Sequence, residues 1–225
     1  MNKNLEIRNE FFRILSNRPN ARKLISSLDE NAELLLFGGC IRDYIDNRFS
    51  EVPRDFDIVI NTQGLNVEEY VLGFEKISCK RNKFGGYKIA ADNLKFDIWE
   101  LDKTWAFKER IIECNEIADL NKTVFLNIDS IFYNLNTGDL YDEDFRNAIA
   151  NNELDIVLDK NPYPELNLAR AFRYKNKYNL RFSDKLNDFI ANWMKDFDNK
   201  HEATDILKEI ELKRYNQSTV DLSLF

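Results

Sequence analysis

Two short stretches hold the residue types and spacings best suited to chemistry. In Arg54-Asp55-Phe56-Asp57-Ile58-Val59-Ile60, two carboxylates stand at i and i+2 of an apolar run. Side chains alternate along a strand, so Asp55 and Asp57 share one face while Phe56 takes the other. Two neighbouring acids repel each other, and burying such a pair without a cation is costly. A divalent metal ion removes the conflict. The second stretch, Leu34-Leu35-Leu36-Phe37-Gly38-Gly39-Cys40-Ile41-Arg42-Asp43, runs from an apolar strand through two glycines into a helix. A glycine turn before a helix lets backbone N–H groups approach an anion closely, and Arg42 in the first turn adds a cation beside them. Asp43 reads as a cap or orienting partner of Arg42 in preference to a reacting group. Together the two stretches suggest a place for a metal-bound triphosphate.

A further acid, Asp97, lies in Leu94-Lys95-Phe96-Asp97-Ile98-Trp99-Glu100-Leu101. If Phe96 and Ile98 face a core, Asp97 faces the other way with Lys95 and Trp99. One more acid on an adjacent strand is what two-metal phosphoryl transfer needs, one ion activating the attacking hydroxyl and the other holding the triphosphate. Spacing alone leaves equal room for Asp97 as an ordinary surface acid.

These residues must be positioned by an α/β arrangement. Apolar periodicity predicts a helix over 5–15 and a second one opening at Pro19, then a strand over 34–37, a short helix over 41–46 and a strand over 56–60. A surface helix over 66–76 precedes a hairpin, 77–80 with 87–90, in which Gly85-Gly86 reads as a turn because no helix follows it. The strand 94–101 comes next, then a helix over 103–112 and a β-branched, aromatic run over 124–135. That run ends in the hairpin signal Asn136-Thr137-Gly138-Asp139, with a return strand at 140–141, a short helix over 144–150 and a possible strand over 154–158. From Pro164 onward three helical patterns follow, 164–177, 183–197 and 202–214, with Ser183 and Asn199 as N-cap neighbourhoods. The expected architecture is α/β (α+β): residues 1–155 form a mixed, partly antiparallel sheet flanked by helices, and residues 156–225 form a small helical domain.

The totals exclude several classes. At 225 residues, 44% hydrophobic and 32% charged, the chain has the composition of a soluble globular protein. No run reaches membrane-spanning length, and Met1-Asn2-Lys3-Asn4-Leu5-Glu6 is not a signal peptide. Cys40, Cys79 and Cys114, with a single His201, give neither a disulfide framework nor a zinc spacing, so a reduced, cytoplasmic setting is expected. A net charge of −7 argues against a general nucleic-acid coat protein. Local basic surface remains: Lys76, Lys80, Arg81, Lys83 and Lys88 in one run, Arg170, Arg173, Lys175, Lys177 and Arg181 in another, neither containing an acid. Each run alone reads as a solvated face; two in so acidic a chain make nucleic-acid contact a candidate.

Taken in order, these residues resemble the DNA polymerase β-type nucleotidyltransferases, and within them the head and neck of class II CCA-adding enzymes and bacterial poly(A) polymerases. Gly38-Gly39-Cys40-Ile41-Arg42-Asp43 looks like that family's Gly-Gly-x-Val-Arg-Asp loop, and Arg54-Asp55-Phe56-Asp57-Ile58 like its basic-Asp-x-Asp-Ile strand. Asp97 falls where the family places a further acid. The segment 128–141 resembles the family's Asn-Ala-x-x-Tyr strand with its Thr-Gly-x-Leu turn, and Arg170-Ala171-Phe172-Arg173-Tyr174 the Arg-Ala-x-Arg-Phe helix that opens the neck. The resemblance implies a nucleotidyltransferase head followed by a helical neck. It implies two Mg²⁺ ions on Asp55 and Asp57, with Asp97 as a third catalytic candidate, and a triphosphate held by Gly38, Gly39, Arg42 and Asp43. Arg170 and Arg173 would reach the nucleotide from the neck.

Departures from the family bear on the substrate. The family's Arg-Arg-Asp triplet, which helps to recognise the nucleotide sugar, is here Thr123-Val124-Phe125, and its Asn-Ala pair is Asp129-Ser130. Nothing between Ser183 and Arg214 matches the Glu-Asp-x-x-Arg template for CTP and ATP, and no counterpart of the family's tRNA-clamping body follows. A self-sufficient CCA-adding enzyme is therefore not expected. The expectation is transfer of an NMP from ATP or CTP to an RNA 3′ end, tRNA included, contacted by Lys80, Arg81, Lys83, Lys175, Lys177 and Arg181. The alternatives are nucleotidylation of a protein or small molecule, action with an unidentified protein partner, or an inactive nucleotide-binding module.

Overall fold

The computed structural model describes residues 4–62 and 66–221, which form two compact units. The first unit extends to Asn121 and takes back residues 131–142; the second holds residues 122–130 and the chain from Glu143 onward. Where the sequence suggests one cut near residue 155, the chain changes unit three times. The cause lies in backbone pairing. Phe125 and Val124 accept hydrogen bonds from Val157 and Leu158 at 2.8 and 3.1 Å, and Asn127 donates to Asp155 at 3.0 Å, which fixes 122–130 to the second unit.

The first unit contains α1 (Asn4–Leu15), α2 (Pro19–Asn31), β1 (Glu33–Phe37), α3 (Gly39–Asn47), β2 (Phe56–Asn61), α4 (Val67–Leu72), β3 (Ser78–Arg81), β4 (Tyr87–Ala91), β5 (Leu94–Glu100), α5 (Trp105–Lys108), β6 (Phe132–Asn134) and β7 (Leu140–Tyr141). Its strands form one mixed sheet in the order β3-β4-β5-β2-β1-β6-β7, with β2 and β5 parallel and every other pair antiparallel. Alternation divides the sheet into two faces. On one face Phe56 and Phe96 stack with ring centroids 5.7 Å apart, and Phe11 of α1 meets Phe56 edge-on at 5.2 Å. The other face has a second core of Leu35, Val59, Leu101, Phe107, Leu120 and Phe132. That core begins two residues beyond the aspartates of the same strands.

Some expected elements shorten. The helix over 103–112 contracts to a 3-10 turn at Leu101–Lys103 and the four-residue α5. Arg110 takes a positive φ of 55°, and Ile111 and Ile112 both donate to the Ala106 carbonyl, which folds the chain back to pack Phe107 and Ile112 in the second core. The run 124–135 is not one strand: a 3-10 turn at Asn127–Asp129 interrupts it, and only β6 remains extended.

The second unit contains α6 (Glu143–Ala150), β8 (Glu153–Leu154), α7 (Pro164–Tyr178), β9 (Arg181–Phe182), α8 (Asp184–Met194) and α9 (Lys200–Tyr215). In place of a strand over 154–158, the two residues of β8 pair in parallel with β9. Ser183 caps α8 by accepting from the Leu186 N–H at 3.1 Å, and Asn199 caps α9 by accepting from Glu202 at 3.0 Å. Asn179 and Asn216, both at positive φ, end α7 and α9. Among the described residues no helix is long and apolar enough to cross a membrane.

Candidate active site

Strand register brings the sequence-predicted acids together. Asp57 of β2 pairs directly with Asp97 of β5 on one side and with Phe37 of β1 on the other. The row continues outward, through Lys88 on β4 to Lys80 on β3, and through Phe132 on β6 to Tyr141 on β7. Residues directly paired across strands point to the same face. A single row across the sheet therefore reads, from one edge to the other, two lysines, two aspartates and three aromatics. Asp55 sits one residue before β2 and, by alternation, on the same face.

At the end of β1 the chain must turn sharply into α3. Gly38 makes that turn at φ 61° and ψ −113°, in the positive-φ region where a Cβ is strained. Its N–H donates to the Ile131 carbonyl at 2.8 Å, and its own carbonyl accepts from Ile41 at 3.1 Å and Arg42 at 3.2 Å. Gly39 opens the helix, so the positive end of the helix dipole lies here. A Cβ on Gly39 would lie 3.8 Å from Nη2 of Arg42, which places the buried guanidinium over this glycine. Burial pushes the Cys40 thiol far up, the negative charges of Asp57 and Asp43 push it further, and Arg42 offsets part of the rise. Gly38, Gly39, Arg42, Asp43 and Asp57 thus gather at the start of α3.

The three acids differ in their partners. Asp55 is half-exposed and pairs with its neighbour Arg54 at 3.0 Å. Asp57 is half-buried at the centre of the row. Asp97 is held on both oxygens: Asn82 Nδ2 donates to Oδ1 at 3.0 Å, and Lys88 Nζ lies 3.3 Å from Oδ2. Asn82 is itself fixed by the hairpin turn, its Oδ1 accepting from Phe84 at 2.9 Å and Gly86 at 3.0 Å. Among the described residues no three His, Cys, Asp or Glu side chains converge to hold a metal ion. The donor set that remains is the Asp55 and Asp57 pair. It fits Mg²⁺, which takes one or two carboxylates and completes its octahedron with water and substrate phosphate oxygens.

Other expected contacts are divided by the fold. Lys80 lies on the acid face, whereas its neighbour Arg81 lies on the opposite one and pairs with Glu68 of α4 at 3.4 Å. Lys83 is exposed in the turn. In the second unit Nη2 of Arg170 contacts both oxygens of the buried Asp129, at 3.0 and 2.9 Å, and Tyr174 Oη at 3.4 Å. Burial by itself would lower the Arg170 pKa, but the Asp129 carboxylate, together with Tyr174 and Tyr215, more than reverses this and holds the guanidinium charged. Arg173 stacks over Tyr215 at 4.1 Å, Lys175 over Phe182 at 4.7 Å, and Lys177 over Tyr178 at 4.9 Å, while Arg181 pairs with Glu153 at 2.9 Å. Thr123, Val124 and Phe125 are buried, with Phe125 packed on Phe189, so the triplet builds core where the resembled family has polar groups.

Asn82 has no part in the sequence-based expectation, Lys88 enters it only within a basic run, and Lys95 only as a same-face neighbour of Asp97. Asn two residues ahead of a Phe-Gly-Gly turn is an available signal for Asn82, because Asn side chains organise such turns. The position of Lys88 opposite Asp97 depends on strand register, which single-strand alternation does not supply.

No protein-family model matches the sequence, and curated proteins give no match. Solved structures do. A CCA-adding enzyme in complex with CTP superimposes with a TM-score of 0.60, covering 89% of this chain and 49% of that one at 18% identity. The Thermotoga maritima CCA-adding enzyme complexed with tRNA-CCA gives 0.59 over 88% of this chain and 49% of that one, at 17% identity. A tRNA nucleotidyltransferase complexed with a primer tRNA and an incoming ATP analog gives 0.54 over 83% of this chain and 58% of that one, at 13% identity. The chain therefore has a nucleotidyltransferase fold, and it spans about half the length of the structures it matches.

Proposed function

We propose that the chain is a nucleotidyltransferase that moves an NMP unit from ATP or CTP to an acceptor hydroxyl and releases pyrophosphate. We assign the acceptor as an RNA 3′ end, tRNA included, in keeping with the tRNA complexes among the structural neighbours. The observation that carries the reading is the position of Asp57, flanked by Asp97 on one strand and by Phe37, which leads into the Gly38 turn, on the other.

The Gly38-Gly39 turn and Arg42 would hold the triphosphate, with backbone N–H groups and the helix dipole facing its charge. Asp43 would orient Arg42. Asp55 and Asp57 would hold Mg²⁺, two ions by the resemblance. The metal, when bound, neutralises phosphate charge and makes the acceptor hydroxyl a better nucleophile. One P–O bond forms to the acceptor oxygen, the bond to the bridging oxygen breaks, and the hydroxyl proton passes to solvent. Catalysis is then mainly positioning and electrostatics.

Incubation with α-labelled NTPs, Mg²⁺ and separate pools of RNA and protein tests the assignment. Label on RNA is the expected result. Label on polypeptide alone overturns the RNA acceptor, and NTP binding without pyrophosphate release with either pool overturns the transferase in favour of a binding module. Because Asp97 is engaged by Lys88 and Asn82, we expect Asp97→Asn to lower turnover at least about tenfold less than Asp57→Asn. Equal losses would make Asp97 a full member of the metal site.

A further inference from the structure

Beside the aspartates, on the same sheet face, lies a cleft of about 280 Å³. Its floor is small, Ser78 of β3 and Ala90 of β4 being directly paired. Its rim carries Lys80, Lys88 and Lys95, with Asp55 and Asp97 along the inner wall. Register explains the ring. Lys80 pairs with Lys88, Lys88 with Asp97, and Lys95 with Ala90, so three strands aim their lysines at one hollow.

The hollow is lined by three lysines against two aspartates, although the chain as a whole is acidic. Lys88 is matched by Asp97 and Arg54 by Asp55. Lys80 and Lys95 are exposed, and neither has an ion-pair partner among the described residues. Two ammonium groups are left to balance, and the ligand chemistry they suit is phosphate. The triphosphate and a nucleic-acid strand are both sources of it. In-line transfer separates the two, because attacking and leaving oxygens stand on opposite sides of the transferred phosphorus. The Gly38 turn follows β1, on one side of Asp57; the lysines lie on β3, β4 and β5, on the other. With pyrophosphate leaving toward Gly38, the attacking hydroxyl comes from the lysine side.

We propose that this cleft is the acceptor subsite, in which Lys80 and Lys95 bind backbone phosphates of a single-stranded RNA near its reacting 3′ end. The proposal rests on the transferase reading for the direction of transfer. Strands β3 and β5 are two strand spacings apart, about 10 Å, so the two lysines contact different phosphates. Lys88 is a positioning residue that fixes Asp97 to the cleft wall.

The test uses the full chain, a fluorescent single-stranded oligoribonucleotide and a non-hydrolysable NTP analogue. The double variant Lys80→Gln/Lys95→Gln is compared with Lys208→Gln/Lys213→Gln, which removes the same charge from exposed positions of α9. For the cleft variant we expect oligonucleotide affinity to fall at least about tenfold at low salt. We also expect the slope of log K against log salt to shrink by about 1.4, the value for two phosphates on a single strand. The NTP analogue should bind within twofold of the wild type, and the α9 variant should bind the oligonucleotide as the wild type does. A loss of analogue binding without a loss of oligonucleotide binding would assign the cleft to the triphosphate. Equal losses from both variants would reduce the lysines to general charge. Since binding is read without turnover, lysine-dependent RNA binding in a protein that transfers no NMP would overturn the transferase, and with it the acceptor role, and leave the cleft as an RNA-binding site.

Discussion

At the scale of single residues, the site depends on two adjacent glycines with different reasons for being glycine. Gly38 is fixed by its backbone, since an L side chain at φ 61° is strained whatever the space around it. Gly38→Ala should cost about 1–2 kcal/mol of stability, measured by denaturant titration. Gly39 has room: an added Cβ meets only Nη2 of Arg42, at ordinary contact distance. Gly39→Ala should leave stability within about 0.5 kcal/mol yet weaken binding of an NTP analogue, because its methyl group would occupy the approach to the helix N-terminus. Unchanged analogue affinity in Gly39→Ala would move the triphosphate away from this turn. Arg170 presents the opposite case. Its guanidinium neutralises a buried carboxylate, and removing it takes away the cation that contacts both Asp129 oxygens. With Arg170 about a third exposed, Arg170→Met should cost roughly 2–3 kcal/mol, below the range for a fully buried pair. Part of that loss should return in Arg170→Met/Asp129→Asn, and a single variant as stable as wild type would refute a structural role for the pair.

At the scale of elements, β1, the glycine turn, α3 and β2 were legible because each carries its own local signal: apolar runs, a turn residue and period-two acids. The hairpin with Gly85-Gly86 and the caps Ser183 and Asn199 were legible for the same reason. What local signals could not supply was pairing. That Lys88 stands opposite Asp97, or that Asp129 meets Arg170 41 residues later, follows from register and packing that no single segment encodes. The same holds for the start of α2. Arg18, its N-cap residue, makes no side-chain cap, and Asp92 from the β4–β5 turn supplies one instead. Its carboxylate accepts from the Asn20 and Ala21 N–H groups at 2.7 and 2.9 Å and from Asn20 Nδ2 at 2.7 Å. These bonds, led by the one from Ala21, hold the Asp92 carboxyl below its ordinary value. A depressed carboxyl pKa adds stability that is complete above about pH 4 and lost as pH falls through the folded value. Asp92→Ala should therefore cost about 1 kcal/mol at neutral pH, as removal of a helix cap does. The difference from wild type should vanish in strong acid, and a pH-independent difference would contradict the account.

At the scale of the whole molecule, the chain joins a sheet-based unit bearing the acids to a helical unit whose arginines and apolar triplet serve its own packing. Chemistry and substrate choice thus separate. The row centred on Asp57 supports the proposed reaction, while the buried Thr123-Val124-Phe125 and the pairing of Arg170 with Asp129 are the features that bear on nucleotide selection. The most direct measurement is Mg²⁺-dependent pyrophosphate release from ATP or CTP in the presence of RNA, comparing the wild type with Asp57→Asn. Release by the wild type, abolished by chelation and reduced at least about a thousandfold in the variant, is the expected result. Release that persists undiminished in Asp57→Asn would contradict it.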